Sequence, residues 1–253
     1  MGKKIAMISA LGGQGCTTAA AYVGNAMAES GQIVTMLDLC GFAGTLAHVM
    51  GAAEDAAMNV GDVLRGVCSC EEALISCEMP GLRLMPPSSS SDGYIYPYSP
   101  DCIRLIESLS QDSDVIADIP AGTVPNRDAV GCFDLFAVCT SADRLSLQYA
   151  AALCRIIRST ASECGAECEV RFLLTSFSPE AMRAGGVSDI DECIDTVGVR
   201  LLGVVPRDTA VMRAAVDEQA PDALCEAMQY SRDIVGRICG EIVPLESKKS
   251  MFR

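Results

Sequence analysis

The chain has 253 residues, half of them hydrophobic and 21% charged, which supports a sizeable core and argues against a disordered or fibrous chain. Nineteen Lys and Arg against 33 Asp and Glu leave a net charge of −14, the wrong sign for neutralising a phosphate backbone, so nucleic acid is not an expected partner. No uninterrupted apolar run reaches the ~18 residues of a membrane-spanning helix.

The first strand is expected over residues 4–9. The lysines and apolar stretch of residues 1–11 run into Gly12-Gly13 with no small-residue cleavage site, which favours a strand over a secretory signal. A helix is expected over 17–29 and strands over 33–38 and 82–85. Residues 86–100 (PPSSSSDGYIYPYSP) read as an exposed Pro- and Ser-rich loop, with a tyrosine docking patch as the sharper alternative. A helix follows over 101–109, then strands over 115–118 and 135–139, a helix over 145–159 and a strand over 170–174. The last expected elements are a helix over 189–196, a strand over 201–205 and a helix over 222–240. Short β-branched runs alternating with helical patterns define an α/β protein with a doubly wound, mostly parallel sheet and helices on both faces. One domain is expected over 1–245, with a tail over 246–253.

The chemistry concentrates after the first strand, in Leu11-Gly12-Gly13-Gln14-Gly15-Cys16-Thr17-Thr18. Glycines between a strand and a helix let backbone N–H groups face phosphate oxygens, and a following Thr hydroxyl can ligate Mg²⁺. The same glycines also suit a tight turn with no ligand. A P-loop places Lys immediately before the Ser/Thr, where its ammonium reaches the β- and γ-phosphates; Cys16 occupies that position. Asp38 and Asp118 end expected strands, which suits either magnesium chemistry or simple capping of the next turn.

The 14 cysteines are scattered and form no evident disulfide framework, so reduced core residues in a cytoplasmic protein are expected. Cys68 and Cys70 make a C-x-C pair followed by Cys77, but paired C-x-x-C spacing is missing and no metal cluster is expected. His48 lies in a helix-like segment without a nucleophile partner and reads as a helix-face residue.

These motifs, in this order along nearly the whole chain, resemble the MinD/ParA family of P-loop ATPases, whose deviant loop reads KGGxGK[ST][ST]. Leu11 and Cys16 stand where the family has its two lysines, the first crossing a nucleotide-sandwich dimer and the second holding phosphates in its own subunit. Residues 34–38 resemble the strand ending in a D-x-D switch, with Cys40 in place of its second Asp. Residues 114–122 (DVIADIPAG) are similar to the Walker B strand and second switch. Residues 173–179 and 202–208 resemble the late strands and base-side loop of the MinD branch. The resemblance implies a P-loop NTPase fold and a nucleotide site of Gly12, Gly13, Gln14, Gly15, Cys16, Thr17, Thr18, Asp118, Pro206 and Asp208. It implies Mg²⁺ at Thr17, Asp38 and Asp118, with Asp38 the candidate catalytic carboxylate. With both lysines replaced, ATP or ADP binding is expected to be weak and hydrolysis weak or absent. The expected role is a scaffold or regulator of spatial organisation, in cell division or surface-appendage assembly. Expected partners are proteins, including a second copy or an active relative. An active ATP-driven switch and a cysteine-based metal carrier are the alternatives. The tail carries too few apolar residues for a membrane-lying helix, so at most weak peripheral membrane contact is expected.

Overall fold

A strand buried on both faces needs apolar residues along nearly all its length, and β1 (Lys4–Ile8) meets this after Lys4 by sending Ala6 and Ile8 into one core and Ile5 and Met7 into the other. The computed structural model describes residues 1–41, 46–52, 57–88, 95–209 and 223–245. After β1 come β2 (Val34–Asp38), β3 (Ile75–Ser76), β4 (Leu82–Met85), β5 (Asp114–Asp118), β6 (Leu135–Thr140), β7 (Glu169–Phe177) and β8 (Leu201–Pro206). They form one sheet in the order β3-β4-β2-β5-β1-β6-β7-β8. Each neighbouring pair is parallel except β3 with β4, so the expected doubly wound, mostly parallel sheet is present.

The described helices are α1 (Cys16–Glu29), α2 (Leu46–Val49), α3 (Val60–Leu64), α4 (Cys70–Ala73), α5 (Pro100–Leu109), α6 (Arg127–Cys132), α7 (Arg144–Cys164), α8 (Pro179–Ala184), α9 (Ile190–Val197) and α10 (Glu226–Ile238). Helices α5, α6, α7 and α9 cover one face and α1, α2 and α10 the other. Helix α1 is buried along most of its length because α10 packs over it, which its Ala-rich sequence permits. At Gly24 an added Cβ would lie 2.3 Å from Met36 Sδ, so α1 approaches β2 as closely as a glycine allows. No described helix is long and apolar enough to cross a membrane.

Each strand and longer helix expected from the sequence has its counterpart, with ends displaced. Helix α7 runs past residue 159 to Cys164, where Gly165 adopts the left-handed conformation that stops it. The last helix begins at Glu226, with Cys225 as its cap, and residue 222 lies outside the described residues. Helix α2 falls in the helix-like segment expected around His48, whereas the short elements α3, α4, α6, α8 and β3 were not expected, since two to six residues carry too little periodicity. Two of them had a local signal, because Asn59 with Asp62 and Ser69 with Glu72 form reciprocal capping boxes.

The expectation of an exposed loop over 86–100 needs correction. Residues 89–94 lie outside the described residues, but Ser88 and Tyr98 are buried, and Tyr98 packs edge-on to Tyr96 with ring centroids 5.7 Å apart. Asn126 Nδ2 also donates to the Tyr98 carbonyl at 3.2 Å, tying this end of the loop to α6. The tail over 246–253 lies outside the described residues.

Candidate functional site

The site forms where the sheet changes direction. From β1 the chain passes through α1 to β2 on one side, and from β5 it passes through α6 to β6 on the other, leaving a crevice at the carboxyl end of β1. Residues 11–18 line that crevice. Gly13 and Gly15 have φ of 75° and 69°, left-handed values that a side chain resists. A Cβ on Gly12 or Gly13 would meet nothing within 4 Å, so open space faces the loop. Gly15 caps α1 without a side chain, and no acidic residue occupies the first turn, leaving the positive end of the helix dipole uncompensated.

Gln14 is held from two strands that sequence reasoning did not connect with it. Its Oε1 accepts from the backbone N–H and hydroxyl of Ser141 at 2.6 and 2.9 Å, while the Thr175 hydroxyl donates to its carbonyl. Polar residues directly after the buried runs of β6 and in β7 were the available signal. Thr18 is half-buried on the same first turn of α1 as Thr17.

Strand register brings the carboxylates together. Asp38 of β2 and Asp118 of β5 are paired neighbours, and both side chains are fully buried. Asp38 Oδ1 accepts from the Cys40 N–H at 2.9 Å and Oδ2 from the Leu46 N–H at 3.2 Å. Thr17 Oγ1 donates to Asp118 Oδ2 at 2.6 Å, and Asp118 Oδ1 is buried with no hydrogen-bond partner. Burial, then the neighbouring Asp118, pushes the Asp38 carboxyl up to about 7. Burial likewise raises Asp118 to about 6, with the Thr17 hydroxyl pulling the other way. Cys40 lies against both acids, and burial followed by their charges drives its thiol strongly upward. Cys16 is buried at the start of α1, and its contact with Cys139, then burial, raises its thiol well above the ordinary range. Among the described residues neither carboxylate has a basic partner.

The oxygens of Thr17 and Asp118 are hard donors that fit Mg²⁺, and the unpartnered Asp118 oxygen is a ready ligand. The loop offers a phosphate its backbone and helix terminus, but the position that should supply a cation carries a thiol.

Other candidates fall elsewhere. Pro206 and Asp208 stand at the end of β8, with β6 and β7 between them and β1. Asp208 Oδ2 accepts from the N–H groups of Glu226 and Ala227 at 3.2 and 3.4 Å, so its side chain docks the start of α10. Asp208→Ala is expected to cost about 1 kcal/mol of stability, as other helix-cap losses do; urea denaturation measures it, and an unchanged midpoint would refute the docking role. Cys68 and Cys70 pack against the core on one face of the sheet and Cys77 against the core on the other, so they do not converge on a metal. None of the 14 cysteines is joined in a disulfide, and seven of them are buried. His48 is exposed on α2, as a helix-face residue should be. A cleft of about 640 Å³ lined by Arg158, Glu169, Ile194 and Arg200 lies at the opposite end of the sheet and contains none of the site residues.

Strand order, the loop after β1 and the paired strand-end acids define the P-loop NTPase fold. The family model for the CobQ/CobB/MinD/ParA nucleotide binding domain matches residues 5–221, and the chain belongs to that family. It is 32% identical over 253 residues to the septum site-determining protein MinD of Bacillus subtilis, covering 97% of this chain and 92% of that protein. Among solved structures, the MinC:MinD cell division protein complex of Aquifex aeolicus superposes with a TM-score of 0.83 at 21% identity, over 96% of this chain and 98% of the other. The MinD of Pyrococcus horikoshii OT3 complexed with Mg-ADP gives 0.78 at 20% identity, over 94% and 96% of the two chains.

Proposed function

We propose that this protein is a MinD-like scaffold or regulator of spatial organisation in the cytoplasm, in cell division or surface-appendage assembly, acting through protein contacts with little or no ATP hydrolysis. Residues 1–245 form its one domain. The observation that carries this reading is the absence of any basic partner, among the described residues, for the buried Asp38 and Asp118. Leu11 and Cys16 stand at the family's lysine positions and Cys40 at its second switch carboxylate. Phosphoryl transfer relies on positioned cations to stabilise spreading negative charge, and Mg²⁺ at Thr17 and Asp118 cannot supply their geometry alone.

If nucleotide binds, Gly12, Gly13, Gln14 and Gly15 present backbone to the phosphates, Thr17 and Asp118 hold Mg²⁺, and Asp38 is the carboxylate left to orient water. Leu11 is partly exposed beside this loop and offers an apolar contact to a second copy or an active relative that needs no nucleotide. The test combines phosphate release with sedimentation. Release by the unaltered chain is expected to match that of Asp118→Ala, and the sedimentation coefficient should not respond to Mg·ATP. Several turnovers per minute that vanish in Asp118→Ala, or a monomer-to-dimer shift with Mg·ATP, would establish an active switch instead.

A further inference from the structure

We infer that Asp38, Cys40 and Asp118 form a binding site for a thiophilic divalent cation of the zinc type, occupied without nucleotide. One ligand atom from each of the three lies within 4.8 Å of the other two, the only such group of His, Cys, Asp or Glu among the described residues. Donors around a tetrahedral Zn²⁺ stand roughly 3.5 Å apart, so small side-chain rotations close the set.

Three features point to a cation. Asp118 is fully buried and its Oδ1 has no hydrogen-bond partner, an arrangement that costs free energy until a ligand meets that oxygen. Two buried carboxylates pair side by side with no basic residue, so this pocket is negative where the protein is least able to screen charge. The acids are also held in place from behind: the Cys40 and Leu46 N–H groups orient Asp38, and the Thr17 hydroxyl orients Asp118 through Oδ2, leaving Oδ1 without a hydrogen-bond partner. Outer partners of this kind are what hold metal ligands in register.

Sulfur decides the class of ion. Mg²⁺ demands near-octahedral oxygen and avoids thiolate, whereas one Cys with two carboxylates and a water suits Zn²⁺. Cys40 is only half-buried, which gives the ion a way in, and a water would complete its coordination. On binding, the Cys40 thiol proton passes to water and the sulfur lone pair goes to the metal. Neither nucleotide nor a protein partner takes part, so failure of this site would leave the scaffold reading standing.

The test uses the full chain after chelator treatment, titrated with Co²⁺ and then Zn²⁺. A thiolate-to-cobalt charge-transfer band is expected to saturate at a single site, to disappear when Zn²⁺ is added and to resist excess Mg²⁺. Cys40→Ser should abolish the band, Asp118→Asn should weaken affinity by at least about tenfold, and Cys68→Ser with Cys70→Ser should change neither. X-ray absorption at the zinc edge of the unaltered chain guards against misfolded variants and should show one sulfur among oxygens. No saturating band, a band that survives Cys40→Ser, a band lost with Cys68 and Cys70, or a zinc shell with several sulfurs would each overturn the assignment.

Discussion

Metal-free protein is expected to lose stability as pH rises from about 4 to about 7, and Asp118→Asn is expected to remove part of that loss. The sign follows from which state holds the proton. An unfolded aspartate titrates near 3.9, whereas folding raises Asp38 to about 7 and Asp118 to about 6. Between the unfolded and folded values the native state therefore binds more protons than the unfolded chain. Stability is greatest below the unfolded value, declines as pH passes through the folded ones, and is level above them. A tenfold difference in proton affinity between the two states corresponds to about 1.4 kcal/mol, so the decline is on the order of a few kcal/mol.

Asp118→Asn keeps an oxygen to accept from Thr17 while removing one of two facing charges, so the variant should melt at a higher temperature than the parent at the alkaline end. Denaturation across this range with chelator present provides the measurement. The overall charge of −14 also favours acid stability through general repulsion, but the substitution changes it by a single charge. Parallel pH profiles for parent and variant would show that the pair does not titrate as its burial requires.

Cys16→Lys is expected to strengthen Mg·ATP binding by about 10- to 100-fold, the range for one charge-assisted contact of about 1.5–3 kcal/mol. Cys16 is the first residue of α1, next to the open face of Gly12 and Gly13 and near Asp118. An ammonium there would meet phosphates on one side and the two carboxylates on the other. The larger side chain must displace the Cys139 contact, which costs some packing and sets the lower end of the range. Leu11→Lys makes a useful contrast, since a lysine that reaches a partner's phosphates adds nothing to binding within a monomer and should instead make association depend on nucleotide. Isothermal titration of the parent and both variants distinguishes these outcomes. Equal affinity in parent and Cys16→Lys would mean that the loop after β1 does not accept phosphate.

Local pattern alone was enough to establish the alternating strands and helices, the doubly wound class and the glycine loop between β1 and α1. Each depends on neighbours in sequence: β-branched runs favour strands, amphipathic spacing favours helices, and glycines permit the left-handed turns at Gly13 and Gly15. The positions of Asp38 and Asp118 at strand ends were legible for the same reason. Their direct pairing was not, because it depends on β2 lying next to β5 in a sheet whose order differs from chain order. Thr17 and Asp118 are likewise joined across 101 positions. Tertiary packing also decided that Tyr98 is buried, that Asp208 docks α10, and that Cys68 and Cys77 face opposite cores. Above all, it placed Cys40 and two uncompensated acids in one buried space. Charge and thiol chemistry of that kind depends on burial and proximity, which strand order controls and local periodicity does not encode.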